Sequence, residues 1–156
     1  MSSAPVDDTD FGVLMNMAFG VFKSHLHEAM AHAGYDDLGP SFGYVFRILQ
    51  PGSMSLRELS ECIGISAQGT LKIVNDMVAK GYVERREDAN DKRVTQLSLS
   101  TRGRAAIRTA KSFHARFERD IGARYGVKKV AAARSVLESI VEQAAADGLN
   151  PMVRPL

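Results

Sequence analysis

Between residues 66 and 93 the chain carries side chains suited to the edges and backbone of duplex DNA. Gln68 can hydrogen-bond an adenine edge in bidentate fashion, Lys72 can reach a guanine or a phosphate, and Leu71 can lie against a thymine methyl. Ser66, Ala67, Gly69 and Asn75 complete the stretch, and Gly69 either admits a close backbone approach or sits at a loosely constrained, solvent-facing turn. A second group follows at Arg85, Arg86, Lys92 and Arg93, four cations that a narrow minor groove and its phosphates would attract. Asp91, two residues before Arg93, can hold that guanidinium or shape the turn through its own backbone.

Other chemistries lack their residues. The sequence shows no Ser/His/Asp set, no paired catalytic carboxylates and no glycine-rich phosphate loop, so an enzyme is not expected and no cofactor is implied. His25, His27 and His32 are close in sequence but do not have a metal-ligand spacing. Cys62, the single cysteine, excludes an internal disulfide framework and fits a reducing cytoplasm. With no resolving cysteine, it reads as a quiet, partly buried thiol in preference to an oxidant sensor.

DNA-reading side chains need a scaffold that bares them, and the local pattern supplies one. Ser55-Leu56-Arg57-Glu58 has the form of a capping box, with Met54 and Leu59 placed as a hydrophobic staple. Gly64 ends that short helix and Ser66 caps the next, whose inward stripe is Thr70, Ile73, Val74 and Met77, leaving Gln68, Gly69, Lys72, Asn75 and Asp76 more exposed. Gly81 closes it. Tyr82 to Arg86 and Arg93 to Leu99 read as two strands, with Thr95, Leu97 and Leu99 on one face and turn-forming Asp88, Asn90 and Asp91 between them. The expected fold class is mainly α with a small two- or three-stranded β wing, a winged helix-turn-helix flanked by N- and C-terminal dimerisation helices.

Those flanking helices are legible in the apolar spacing. Phe11, Leu14, Met15, Ala18, Phe22, Leu26 and Met30 form one amphipathic helix that Gly34 would end; a second begins near Pro40 and buries Phe42, Val45, Phe46 and Leu49. After Ser100 a long helix carries Ile107, Ala110, Phe113, Phe117 and Ile121 to the Tyr125-Gly126 break, and a last helix carries Val130, Ala133, Leu137, Ile140 and Ala144 to about Gly148. Residues 1–8 lack periodicity and read as a frayed tail. The regions divide as 9–52 for N-terminal dimerisation and scaffold helices, 53–100 for the winged helix-turn-helix, and 101–148 for C-terminal dimerisation helices. The terminal stripes exceed what the small winged core can bury, which points to a homodimer presenting its reading helices one DNA turn apart.

Composition sets the outer bounds. The 156 residues amount to one domain's worth of chain, 45% hydrophobic and 24% charged, as in soluble globular proteins. The apolar run from Phe11 to Phe22 is too short to span a bilayer and follows acidic residues, so neither a signal peptide nor a membrane anchor is expected. The net charge of +2 is divided as −4 over residues 1–54, +2 over 55–104 and +4 over 105–156. So weak a total argues against a nonspecific DNA coater and leaves room for a local basic surface.

The order of helices, wing and terminal helices, with Asp91-Lys92-Arg93, Leu97-Ser98-Leu99-Ser100 and Gly103, resembles the MarR family of bacterial transcriptional regulators. The resemblance covers nearly the whole chain and is most specific in the D-x-R wing and the following L-x-L-[ST]-x-x-G. It implies an obligate homodimer with interleaved first and last helices, a pseudo-palindromic operator, and a pocket often filled by small aromatic or phenolic molecules that release DNA. Candidates for such a pocket are Met15, Phe19, Phe22, Phe42, Phe46 and Phe113. One departure is that Ala67, Gln68 and Gly69 open the reading helix where many members are more polar, which shifts weight to shape readout. The function expected is a sequence-specific DNA-binding transcriptional regulator, a homodimeric repressor released by a small aromatic ligand. The alternative is a winged-helix protein-interaction module without ligand sensing.

Overall fold

The computed structural model describes residues 9–91 and 94–148. The element order is α1 (Phe11–His32), α2 (Phe42–Leu49), β1 (Met54–Ser55), α3 (Leu56–Ile63), α4 (Ala67–Ala79), β2 (Val83–Glu87), β3 (Thr95–Leu99), α5 (Thr101–Tyr125) and α6 (Val127–Ala146). The chain divides into two compact units, Met1–Asp36 and Asp37–Leu156.

The first unit is α1 and its cap. The helix ends as Gly34 turns left-handed at φ +86°, with the Tyr35 N–H donating to the Met30 carbonyl at 2.9 Å, a Schellman closure. Its apolar side chains are largely bare: Phe11 is 61% exposed and Phe19 59%, and Met30 alone is buried.

In the second unit, short helices and a three-stranded antiparallel sheet of order β1-β3-β2 enclose the core. Val45 and Leu49 of α2, Leu59 of α3, Val74 and Met77 of α4, and Val83 and Leu97 of the sheet are at most 2% exposed. Each such burial is worth about 1.5–3 kcal/mol, and Val45, Leu49, Val74, Met77 and Leu97 are positions that the apolar spacing anticipates. Phe42, Phe46 and Tyr82 meet edge to face at centroid separations of 5.6–6.3 Å.

Three differences from the sequence reading have local causes. The second helix starts at Phe42, because Pro40 lies in a turn closed by the Phe42 N–H on the Gly39 carbonyl at 3.1 Å. Met54 and Ser55 form a strand, pairing with Leu97 and Gln96, so the residue before the cap is tied to the sheet. Tyr82 precedes β2, because its N–H closes α4 on the Met77 carbonyl at 2.8 Å beside Gly81 at φ +75°.

α5 and α6 turn on Gly126 (φ +102°) and are joined by Arg134 of α6, which donates to Glu118 of α5 at 2.6 Å. Tyr82 is fully buried and its hydroxyl hydrogen-bonds Asp37, while Arg102 donates to both Asp37 oxygens at 3.1 and 3.2 Å and lies 4.6 Å from the Tyr82 ring. This knot fastens the loop before α2 to the end of α4 and the start of α5. No helix among the described residues is long and apolar enough to cross a membrane.

Candidate nucleic-acid interface

The helix-turn-helix is built by its caps. At α3, the Glu58 N–H donates to Ser55 Oγ at 3.3 Å, while the Ser55 N–H and hydroxyl donate to Glu58 Oε2 at 2.7 and 2.8 Å. Those donors, the backbone N–H first, hold the Glu58 carboxyl below its ordinary range. Gly64 ends α3 at φ +76°, its N–H donating to the Ser60 carbonyl at 2.8 Å. Ser66 then caps α4, accepting from the Gly69 N–H at 3.1 Å.

With Thr70, Val74 and Met77 turned inward, α4 leaves one face bare. Gln68, Leu71, Lys72 and Asn75 are all exposed and follow the i, i+3, i+4, i+7 rule that puts side chains on one stripe. Ala67 and Ser66 are exposed at the head of the same helix. Gly69 is half-buried, and a Cβ there would meet Ser66 Oγ at 3.3 Å and Ile65 Cδ1 at 3.5 Å. The side on which a Cβ would stand therefore faces the turn side chains.

Strand alternation separates Arg85 from Arg86, which the sequence groups together. Arg85 pairs across the ladder with Leu97 and reaches α4, donating to Asn75 Oδ1; Arg86 pairs with Gln96 and donates to Glu84 at 3.0 Å. Arginine has only donors, so its bond to Asn75 Oδ1 turns the amide NH₂ of Asn75 away from it. Reading helix and wing are thus bonded to each other through these two side chains.

The turn between β2 and β3 is organised by Asp88. Its Oδ1 accepts from the N–H groups of Asn90 and Asp91 at 2.8 and 3.1 Å, and its Oδ2 from Gln96 Nε2 at 2.9 Å. The Asn90 bond, then those of Asp91 and Gln96, hold its carboxyl below the ordinary aspartate range. Asp91 is exposed, and its carbonyl accepts from the Val94 N–H at 2.9 Å. Sequence reading assigned wing support to Asp91 and used Asp88 only as a turn former; the Asp88-Ala89-Asn90 spacing of an Asx turn was the available signal. Lys92 and Arg93 lie outside the described residues.

Phe19 and Phe22 stack on α1 at 6.3 Å, with Met15 half-buried on the same helix. Phe42 and Phe46 are packed on Tyr82, and buried Phe113 contacts Phe117 at 5.8 Å. Cys62 is exposed, a correction to the partly buried thiol expected, because Leu59 and Ile63 take the inward positions of α3. Among the described residues no group of three potential ligands is placed to hold a metal ion.

Residues 45–94, from within α2 to the foot of β3, match the family model described as MarR family. That match spans 50 of the 156 residues, the helix-turn-helix and most of the wing. A stretch of 65 residues is 29% identical to an uncharacterized HTH-type transcriptional regulator, YwhA of Bacillus subtilis, covering 41% of this chain and 47% of that protein, about half its length. The likeness of fold extends beyond that stretch. The reduced form of MarR from E. coli has a TM-score of 0.67 at 21% identity, over 85% of this chain and 96% of its own. YusO from Bacillus subtilis has a TM-score of 0.63 at 19% identity, over 90% and 99%. A MepR mutant from S. aureus, bound to an oligodeoxyribonucleotide, has a TM-score of 0.58 at 14% identity, over 87% and 99%.

Proposed function

We propose that this chain is a MarR-family DNA-binding transcriptional regulator that acts as a homodimeric repressor on a pseudo-palindromic operator. The observation that carries the reading is the bare stripe of Gln68, Leu71, Lys72 and Asn75 on a helix whose opposite face is locked into the core. A major groove accepts such a helix, and its capped N-terminus adds N–H groups and positive dipole beside phosphates. Lys92 and Arg93 belong to the wing that would flank it.

Pairing rests on the terminal helices. α6 has no buried residue, and Val136, Leu137, Ile140 and Val141 are 48–50% exposed on it; Phe11, Val13, Met17 and Phe19 are bare on α1. Apolar stripes of that length are stabilised by a second copy. Regions 9–52 and 101–148 then supply dimerisation, and 53–100 the contact with DNA. Release by a small aromatic or phenolic effector follows from the family resemblance.

Fluorescence anisotropy on selected and random duplexes tests the reading. Lys72→Ala should weaken both and lower the slope of log affinity against log salt by about 1, whereas Gln68→Ala should relax preference at one base position by about 1–3 kcal/mol. Equal affinity of the unaltered protein for selected and random duplexes overturns it.

A further inference from the structure

A cleft of about 740 Å³ lies between the foot of the wing and the first turns of α5. Arg104, Arg108 and Lys111 line it from α5, at the i, i+4, i+7 spacing that stacks side chains on one helix face. Arg86 lines it from the sheet, and Leu49, Leu99 and Ile107 give it an apolar floor.

The α5 row is costly as it stands. Like charges four residues apart repel, and none of these three cations has an ion-pair partner among the described residues. Elsewhere on the helix Arg102 is engaged with Asp37, Arg116 lies over the Phe113 ring and Arg124 over Tyr125, while Arg119, outside the cleft, has no ion-pair partner among the described residues. The carboxylates in the lining, Glu87 and Asp88, leave its described residues a formal charge of +2, and both Asp88 oxygens are already satisfied by the wing turn. Among the described residues no aromatic side chain lines the cleft, so a ring would find no stacking partner among them. Guanidinium groups beside an uncommitted ammonium match oxyanions carried on one small body.

We infer that this cleft binds a small organic dianion, a dicarboxylate or a phosphate monoester. Two negative charges neutralise the lining, and the carbon skeleton lies on the Leu49, Leu99 and Ile107 floor. The inference rests on the regulatory reading only for its consequence: Arg86 belongs to both wing and cleft, so a bound anion draws on a side chain the wing offers to DNA.

Calorimetric titration of the full chain without DNA tests it, with succinate, glycerol phosphate, benzoate and phenol as probes. A separate DNA titration shows whether the regulatory reading itself stands. Succinate or glycerol phosphate should bind saturably, one per chain, and whichever binds identifies the oxyanion. Arg108→Gln and Lys111→Gln, made singly and together on exposed and unbonded side chains, should weaken that binding about tenfold or more, while Arg116→Gln leaves it unchanged. No saturable binding of either dianion up to ~10 mM overturns the inference. So does dianion binding indifferent to Arg108 and Lys111, or benzoate or phenol binding as tightly.

Discussion

Gly103 is the place where one methyl group should do the most damage. A Cβ there would lie 2.3 Å from the Tyr82 carbonyl oxygen and 3.2 Å from its carbon, both backbone atoms with no rotamer to adjust. Restoring an ordinary contact requires the first turn of α5 to move by about 1 Å, which overpacking series price at about 1–3 kcal/mol. That movement strains the Ser100 N–H bond to the Tyr82 carbonyl at 3.0 Å and the Ser100 hydroxyl bond to the Gly81 carbonyl at 2.6 Å. Losing one of them adds about 0.5–1.5 kcal/mol, and the better helix propensity of alanine returns about 1 kcal/mol. Gly103→Ala should therefore cost about 2 kcal/mol, or about 4–8 °C in Tm for a chain of this size. Far-UV circular dichroism during heating reads the change. Gly43→Ala is the control, since that exposed helical glycine has nothing within 4 Å of its Cβ position and should melt no lower than wild type. A folded Gly103→Ala protein melting within about a degree of wild type would refute the close approach of α5 to the Tyr82 backbone.

Two further outcomes test the scaffold of the site. Burial first, and then the bond to Asp37, push the Tyr82 phenol up to about 12, against an ordinary value of 10.0. Its folded value is raised, so this stabilisation is complete below about pH 10 and is lost as pH rises through about 12. Ultraviolet titration of the four tyrosines should show one still protonated well above pH 10, a component that disappears in Tyr82→Phe; a single transition of all four near pH 10 contradicts the knot. Ser66→Ala removes the cap of α4 and should cost about 1 kcal/mol, with faster amide exchange at Gly69. Unchanged exchange at Gly69 counts against that cap.

What could be read from the sequence was local. Ser55 with Glu58, Ser66 and Ser100 announce helix starts because each cap is satisfied within three residues, and Gly34, Gly64 and Gly81 announce ends by the same short-range logic. The bare stripe of α4 follows from helical period alone. β1 was hidden because two residues are too few to show alternation, and Met54 already looked like part of a staple. The Asp37–Tyr82–Arg102 knot joins residues 45 and 65 positions apart, and nothing local in the chain marks such a contact. Arg85 and Arg86 look like one basic cluster until strand alternation sends one to Asn75 and the other to the cleft. The sequence reading did not single out Arg104, Arg108 and Lys111, and only the fold shows the cavity that they line.

The paired reading head is most directly tested by half-site spacing. Duplexes selected from random DNA should contain an inverted repeat whose half-sites are about 10 base pairs apart, centre to centre, or a multiple of that turn. Inserting about five base pairs between them turns one half-site to the opposite side of the helix and should reduce affinity about a hundredfold or more. Undiminished affinity after the insertion, or selection of a single half-site with no partner, would contradict a dimer that reads two major grooves at once.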